Sequence, residues 1–404
     1  MKWEKVKLGD IATCIQPGPF GSQLHNSDYS KEGTPIIMPK DIVGGAIVHS
    51  GLLKVSEEHV KRLSRHQVYE GNLMVARKGD VRKCAYITAN ENGWMTGSDC
   101  LKVVLDESKC YPKFIYYQLR SEHIGRWLEK VSIGATMPSL NTGLLSGIEM
   151  VHPPIEIQKQ IAGILSVYDD LIKNNQKQIK LLEEAAQRLY KEWFVDLNFP
   201  GHENTKIVDG VPEGWRKSTV SEVSAVLRRG ISPKYNEKAR GIVINQKCIR
   251  QTIVSYDEAR TQEKKYPAEL EMMESDIVIC STGAGTLGRV GQIFEAKGNV
   301  TLDSHVTLIR VNEKMGQQSL FWSLKMKQDY LMNAGKGSTN QLELSRETIG
   351  NCKILVPERK IAEQAEKNFV AIHNKMKECS MQIARLREAR DLLLPNLMSG
   401  EVEA

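Results

Sequence analysis

The sequence predicts an α+β (mixed α/β) protein in which a pair of long antiparallel coiled-coil helices separates two homologous globular domains, with a pseudo-two-fold internal repeat. The chain has 404 residues, and at about 150 residues per domain this suggests two or three domains. It repeats itself with a period near 204, and each copy passes from short β-rich runs to a helical heptad pattern. We therefore expect globular domains at 1–152 and 201–356 and helices at 153–200 and 357–404.

The internal repeat is visible as matched segments in the same order in both copies. The matched pairs are Trp3–Ile11 with Trp215–Val223, Asn72–Gly79 with Asp276–Gly283, Gly134–Thr136 with Gly337–Thr339, and Gln178–Ile179 with Gln382–Ile383. The offset drifts from 212 to 203 along the chain, as expected when loops change length in diverged copies of one ancestral unit.

The first part of each copy consists of short runs of β-forming residues broken by glycine and turn residues. Thr34–Met38, Leu101–Leu105 and Val306–Ile309 are typical of strands because they are rich in branched apolar residues. Phe114–Leu128 has helical periodicity instead. The combination predicts a globular domain that contains both strands and helices.

The second part of each copy has apolar residues at heptad spacing, which predicts one long helix per copy with a single apolar seam. The seam positions are Ile161, Leu165, Tyr168, Ile172, Asn175, Ile179, Leu182 and Leu189, then Phe369, Ile372, Met376, Ile383, Leu386 and Leu393. Asn175 and Arg390 interrupt the seam, and such polar residues often fix register. Each stripe could instead lie on its own domain, but the duplication favours pairing of the two helices with each other.

Composition narrows the possible locations and partners. No run approaches the ~18 apolar residues of a membrane span, and the start of the chain has no apolar signal-peptide core. The eight cysteines include no CxxC pair, which argues against a zinc ribbon and is typical of reduced cytoplasmic thiols. The net charge of +6 permits a nucleic-acid partner. We expect a cytoplasmic protein with no membrane contact.

The sequence contains only weak matches to catalytic motifs. Gly283–Gly288 fits GxGxxG, but the residues after it alternate like a strand, which favours a β-hairpin over a nucleotide loop. His152–Ile155 lacks the flanking residues of an amino-methyltransferase motif, and Glu295–Lys297 matches an acidic-x-Lys nuclease pattern only loosely. Neither HExxH nor GxSxG occurs. We expect no catalytic residues, no metal site and no cofactor bound by this chain.

Polar, glycine-containing loops at matching points of both copies are the candidates for DNA contact. Glycine lets the backbone approach a phosphate, hydroxyl groups donate to phosphate oxygens, and Arg, Lys and Asn suit base edges. The candidate residues are Phe20, Gly21, Ser22, Lys40, Arg77, Lys78, Gly79, Thr136, Met137 and Ser139, then Arg228, Arg229, Lys247, Ser281, Thr282, Ser338, Thr339 and Asn340.

Several of these segments together resemble the specificity (S) subunit of type I restriction-modification enzymes. The segment that carries the resemblance best is Pro153–Leu165, followed by the Leu181–Glu184 part of the helix. The tryptophan-led starts of both copies, the Gly-Ala/Ser-Thr loops and Leu397–Glu401 agree with it. The second copy departs from the family pattern at Pro357–Ile361, which lacks the double proline and the glutamine.

The resemblance implies a non-catalytic subunit whose two globular domains are target-recognition domains, each reading one half of a bipartite double-stranded DNA sequence. The helix pair would set the spacer between the halves and dock two methyltransferase subunits. Two motor-endonuclease subunits would join them, so that S-adenosylmethionine, ATP and Mg are used by partners within a type I endonuclease and adenine-N6 methyltransferase complex. The alternatives are a stand-alone DNA adenine methyltransferase and a coiled-coil adaptor without DNA binding.

Overall fold

The fold was obtained as a computed structural model. The structure describes residues 3–132, 138–283, 285–337 and 342–399. The chain divides into two compact units, Met1–Lys173 with Ile383–Ala404 (unit 1) and Asn174–Gln382 (unit 2). Each of the two long helices therefore contributes one part to each unit. The boundaries expected from the sequence instead treat each helix as a separate segment.

Unit 1 contains twelve of the described strands, most of them only two to four residues long. They are β1 (Lys5–Lys7), β2 (Ala12–Pro17), β3 (Tyr29–Ser30), β4 (Thr34–Ile37), β5 (Ile42–Val43), β6 (Ala46–Ile47), β7 (Leu53–Val55), β8 (Leu73–Ala76), β9 (Cys84–Tyr86), β10 (Met95–Thr96), β11 (Cys100–Leu105) and β12 (Glu149–Val151). One sheet has the antiparallel order β2-β11-β8-β9, and a second has the order β10-β4-β7-β3, in which β10 and β4 are parallel.

Unit 2 repeats this arrangement with its own strands. They are β13 (Ile207–Val208), β14 (Val211–Pro212), β15 (Arg216–Thr219), β16 (Ser224–Arg229), β17 (Gly241–Ile244), β18 (Arg260–Gln262), β19 (Ile277–Cys280), β20 (Val290–Gln292), β21 (Val300–Leu302), β22 (Val306–Val311) and β23 (Lys353–Val356). The orders are β16-β22-β19-β20 and β18-β17-β21, again with one parallel pair, β17 and β21.

The described helices are short within the globular parts and long only at the end of each copy. They are α1 (Glu57–Arg62), α2 (Pro112–Leu119), α3 (Glu122–Val131), α4 (Thr142–Ser146), α5 (Ile155–Tyr190), α6 (Val220–Val223), α7 (Gln317–Met326), α8 (Gln328–Asn333), α9 (Arg346–Gly350) and α10 (Arg359–Ser399). A π-helical turn, Lys191–Val195, continues α5. The helical pattern predicted over Phe114–Leu128 is split into α2 and α3, since Ser121 caps the start of α3.

The registers show that the two copies share one framework. In unit 1, Thr34 pairs with Val55 and Ile36 with Met95. In unit 2, Gly241 pairs with Gln262 and Val243 with Thr301. The α+β class, the duplication and the long helices are confirmed. The hairpin predicted at Gly283–Gly288 is also confirmed, since that segment joins the antiparallel strands β19 and β20.

A side chain near the start of each long helix accepts hydrogen bonds at the start of a shorter helix of the same unit. The Gln158 side-chain oxygen accepts a hydrogen bond from the Tyr111 backbone N–H (2.8 Å) at the start of α2. In unit 2, the Glu366 carboxylate accepts from the backbone N–H groups of Gln318 and Ser319 at the start of α7 (2.9 and 2.8 Å). The N–H groups at the start of a helix lack partners within it, so both contacts satisfy donors that the helix itself leaves unpaired.

Within each unit, the two long helices run antiparallel and contribute to that unit's core. In unit 1, Arg390 Nη1 lies 2.7 Å from Asp169 Oδ1, and in unit 2, Cys379 Sγ lies 3.5 Å from Gln178 Oε1. Ile161 and Leu165 join the core of unit 1, and Phe369 and Met376 join that of unit 2. Burial of these stripes supplies the hydrophobic stabilisation of the pairing.

Candidate nucleic-acid interface

In unit 1, two of the predicted contact loops lie side by side because their backbones pair. The Leu140 N–H donates to the Arg77 carbonyl (2.8 Å), and the Gly79 N–H donates to the Pro138 carbonyl (3.1 Å). Lys78 and Ser139 face each other in this short antiparallel bridge. Predicted contact residues far apart in sequence thus reach the same edge of the domain. Thr136 and Met137, which precede the bridge, lie outside the described residues.

A third predicted loop of unit 1 meets the same edge through an aromatic side chain. The Arg77 guanidinium lies over the Phe20 ring, 5.4 Å from its centroid, and Phe20 is 53% exposed. An exposed ring stacked with a guanidinium is stabilised by cation–π attraction and presents a flat surface with a positive charge. Gly21 and Ser22 beside it are exposed. Lys78 is held by Asp99 at 3.0 Å, so its charge is partly neutralised.

Unit 2 pairs the equivalent loops in the same way. The Leu344 N–H donates to the Ser281 carbonyl (2.8 Å), and Thr282 bridges Glu343. The Thr282 hydroxyl and His305 Nδ1 hydrogen-bond with each other at 2.6 Å. Ser338, Thr339 and Asn340, which precede this bridge, lie outside the described residues.

The predicted cations on β16 have acidic partners within unit 2. Arg228 forms an ion pair with Glu269, and Arg229 forms one with Glu343 at 2.8 Å and donates to the Leu344 carbonyl. A phosphate would have to compete with these carboxylates for the two guanidinium groups. Their assignment as DNA contacts stays a prediction.

The prediction that Ser281 contacts DNA requires a correction. Ser281 is fully buried, and its hydroxyl shares a 2.6 Å hydrogen bond with Thr307 in the neighbouring strand β22. Ser281 is buried because it directly follows the buried strand β19 and continues its path. The sequence pattern did not reveal this burial. As placed, this hydroxyl cannot reach a phosphate, so we remove it from the candidate set.

Two predicted lysines occupy matching positions in the two copies. Lys40 lies three residues after the end of β4, and Lys247 lies three residues after the end of β17, each in a short 3-10 turn. Both are exposed, and neither ammonium group has a hydrogen-bond or ion-pair partner among the described residues. An unpaired cation held by a turn next to a buried strand is well suited to contact a phosphate.

The seam positions predicted on the helices are buried or half-buried. Buried residues are Ile161, Leu165, Ile172, Asn175, Phe369, Met376 and Ile383, and half-buried residues are Tyr168, Ile179, Leu182, Leu189, Ile372, Leu386 and Leu393. The polar exception, Arg390, pairs with Asp169. Burial lowers the pKa of Arg390, but the hydrogen bonds to Asp169 and Asp391 outweigh burial and raise this pKa. Arg390 is therefore a seam residue whose charge is compensated.

Sequence reasoning missed a basic cleft in unit 2. Its lining includes Arg240, Lys264 and Lys265, together with the amide side chains of Asn236 and Gln262. The signal was present in the sequence as two short basic pairs, Lys238-Ala239-Arg240 and Lys264-Lys265, each close to a tyrosine.

The described part of the chain holds no group of three or more His, Cys, Asp or Glu that could bind a metal ion. None of its helices combines the length and the apolarity needed to cross a membrane. All eight cysteines are free, and burial raises the pKa of Cys110 to about 12.

Comparison with known proteins shows a consistent set of similarities. A family model described as the type I restriction modification DNA specificity domain matches twice, at residues 1–184 and 212–373. The type I restriction enzyme MjaIX specificity subunit of Methanocaldococcus jannaschii is 24% identical, over 99% of this chain and 93% of the relative. The HindI specificity subunit of Haemophilus influenzae is 22% identical over 99% of both chains.

A solved structure shares the fold. The S subunit of a type I restriction-modification system from M. genitalium has a TM-score of 0.56 and 17% identity to this chain. The match covers 98% of this chain and 96% of that one, so the similarity in fold extends through both copies.

Proposed function

The chain belongs to the type I restriction-modification DNA specificity family, and on that premise we propose that each of its two copies reads one half of a bipartite DNA target. Its role is DNA specificity as a non-catalytic component of such a system. The helix pair sets the spacer between the half-sites and docks two methyltransferase subunits, and two motor-endonuclease subunits complete the complex. S-adenosylmethionine, ATP and Mg serve those partners, and the complex works in the cytoplasm.

The observation that carries this proposal is the recurrence of the same polar edge in both units. In each copy, the loop after the buried strand β8 or β19 pairs with the segment that follows the Gly-Ala/Ser-Thr loop. In each copy, an exposed lysine that has no partner among the described residues also follows a strand, β4 in unit 1 and β17 in unit 2. Two equivalent edges on one chain suit a DNA target with two parts, because linked readers engage their half-sites with a high effective concentration.

A spacer test follows from the antiparallel contacts. The pairs Asp169–Arg390 and Gln178–Cys379 bracket residues 171–177 of α5 and 381–387 of α10. Deleting both heptads together keeps the seam in phase and shortens each helix by about 10 Å. We expect the spacer to shorten by roughly three base pairs, at 3.4 Å per base pair, with both half-sites unchanged.

The measurement is methylation mapping of genomic adenines in cells that express the variant together with the methyltransferase subunit of the same system. Deleting only residues 171–177 is the matched control and should abolish methylation, since the two seams then lose their register. Altered half-sites with an unchanged spacer would contradict the proposal. So would the failure of the assembled wild-type complex to bind its mapped target.

A further inference from the structure

The cleft of unit 2 opens beside the sheet β18-β17-β21. Its volume is about 490 Å³, and its lining includes Asn236, Arg240, Gln262, Lys264, Lys265 and Tyr266. Beside it, the Arg260 guanidinium lies 3.5 Å from the centroid of the exposed Tyr235 ring. The cleft thus combines cations, amides and aromatic rings within a few residues, and this set of side chains suits the sugar-phosphate backbone of a nucleic acid.

The cations that line the cleft differ in how far they are already neutralised. Arg240 and Lys265 are exposed and have no ion-pair or hydrogen-bond partner for their charged groups among the described residues. Within the described residues, the Lys264 ammonium donates only to the Ser232 carbonyl (2.9 Å). The carboxylate in the lining, Glu263, pairs with Lys234 and accepts from Asn236. The net field at the cleft is therefore positive, with charge available for an anion.

The register identifies the positions in unit 1 that are equivalent to this part of the unit 2 sheet, and they are apolar. Side chains of paired residues, and of residues two apart on a strand, share one face. Gln262 therefore corresponds to Val55, and Thr301 corresponds to Met95. Val55 and Met95 belong to a buried apolar cluster. Thr301 is also fully buried, but its hydroxyl has no hydrogen-bond partner among the residues that the structure describes.

Charge distinguishes the two faces as well. Residues 231–240 with 260–269 of unit 2 hold six basic and three acidic residues, whereas the matching residues 24–33 with 53–62 of unit 1 hold four of each. In unit 1 the residue that corresponds to Arg260 is Leu53, which packs on the apolar cluster. The basic cleft is therefore a property of unit 2 alone. The duplication of the framework does not account for this cleft.

We propose that this cleft clamps the phosphate backbone of double-stranded DNA beside the half-site read by unit 2, a contact that unit 1 lacks. The proposal rests on the proposed function, which supplies the DNA. Arg240 and Lys265 provide the charge, and the Lys264 ammonium provides a further donor. Phosphate contacts carry no base information. The clamp therefore adds affinity and salt dependence on one side of the target and leaves the recognised sequence unchanged.

The test compares two double variants of the full chain, each assembled with its methyltransferase subunits. Arg240→Ala/Lys265→Ala removes the free cations of the cleft. Lys31→Ala/Lys61→Ala removes two exposed cations from the matching region of unit 1 and is the control. The probe is a 40-base-pair duplex that contains the target mapped by methylation, and its dissociation constant is measured between 50 and 200 mM salt.

Two lost phosphate contacts should reduce the slope of log affinity against log salt by about 1.8. The ratio of wild-type to variant affinity should consequently fall about tenfold between 50 and 200 mM salt. The unit 1 control should keep the wild-type slope, and methylation mapping should show both half-sites unchanged in both variants.

Three results would overturn the proposal while leaving the proposed function intact. The first is a wild-type slope in the cleft variant, and the second is an equal loss in the control, which would indicate a general charge effect. The third is an altered unit 2 half-site, which would mean that the cleft reads bases. If the wild-type complex fails to bind the mapped duplex at all, the proposed function itself is wrong.

Discussion

Unit 1 places apolar side chains on a sheet face where unit 2 has polar ones, of which Gln262 and Thr301 are buried and Arg260 is exposed. In unit 1, Ile36 and Val55 pack with Leu63, which directly follows helix α1, whereas in unit 2 the strand β18 is followed by the irregular segment 263–267. The hydrogen-bonded framework around both faces is the same. The comparison shows that the same backbone pairing accommodates an apolar sheet face in one copy and a more polar one in the other.

The helix seam differs between the units at equivalent positions in the same way. With the offset of 204 between α5 and α10, Asp169 and Arg390 of unit 1 correspond to His373 and Ala186 of unit 2. Unit 1 therefore holds a largely buried ion pair, whose side chains are 12% and 16% exposed, and the Tyr117 hydroxyl also donates to Asp169 (2.8 Å). In unit 2, Ala186 is fully buried, and His373 lies 3.1 Å from the side-chain oxygen of Gln292.

The largest effect on stability is expected when Arg390 of the unit 1 seam is replaced by alanine, the residue at the equivalent position of unit 2. Arg390→Ala leaves the Asp169 carboxylate 16% exposed and without its closest cation, and breaking such a pair costs about 3 to 5 kcal/mol. Urea unfolding of the full chain, fitted with one transition for each unit, measures the loss. Asp391→Ala is the control, because this carboxylate also pairs with Arg390 but is 63% exposed, and it should cost less than about 1 kcal/mol. Equal losses would show that the burial of the pair is unimportant.

The next effect tests a feature that the units share. A Cβ atom at Gly18 would lie 2.0 Å from the Gly97 carbonyl oxygen, and one at Gly230 would lie 2.1 Å from that of Leu302. Backbone atoms cannot yield as a flexible side chain can, so Gly18→Ala and Gly230→Ala should each destabilise their own unit by about 1 to 3 kcal/mol.

The control for the glycine variants is Gly163→Ala in helix α5, where a Cβ atom would meet nothing within 4 Å. It should stabilise the helix by up to about 1 kcal/mol. If Gly230→Ala is neutral while Gly18→Ala is costly, the two frameworks are less alike than their registers indicate.

The smallest effect is a pH dependence that belongs to the unit 2 seam. Burial lowers the pKa of His373 to about 4, with Glu274 opposing and Lys377 adding to the shift. In the unfolded chain the His373 imidazole binds a proton near pH 6.5, whereas in the folded chain it binds one only near pH 4. Stability therefore falls as the pH drops through this window, by roughly 2 kcal/mol between pH 7 and pH 5.

His373→Gln should remove this pH dependence from the unit 2 transition, as measured by urea unfolding at both pH values. Burial also lowers the pKa of His66 in unit 1 to about 4, so His66→Gln should act on the unit 1 transition only. A loss of the unit 2 pH dependence in the His66 variant would contradict the assignment of each histidine to its own unit.

The sequence indicated the framework better than the candidate site. The repeat, the strands around Thr34–Ile37 and the helix seam could be predicted, because periodicity and duplication are properties of the linear order. The burial of Ser281 could not be predicted, since the position of its side chain depends on Thr307, which belongs to a later strand. The cleft at Arg240 and Lys265 was missed for the same reason, because basic pairs in loops gain meaning only when the sheet brings them together.

By itself, the sequence determined that this chain is a duplication of one α+β unit with one long helix per copy. Local apolar spacing and recurrence are enough to specify these features. Only the tertiary structure decided which polar residues remain available for a partner. It pairs Arg390 with Asp169 and Arg229 with Glu343, and it gives Lys40 and Lys247 no ion-pair partner within the part of the chain that the structure describes. The physical reason is that burial and ion pairing depend on distances between residues that the linear order does not contain.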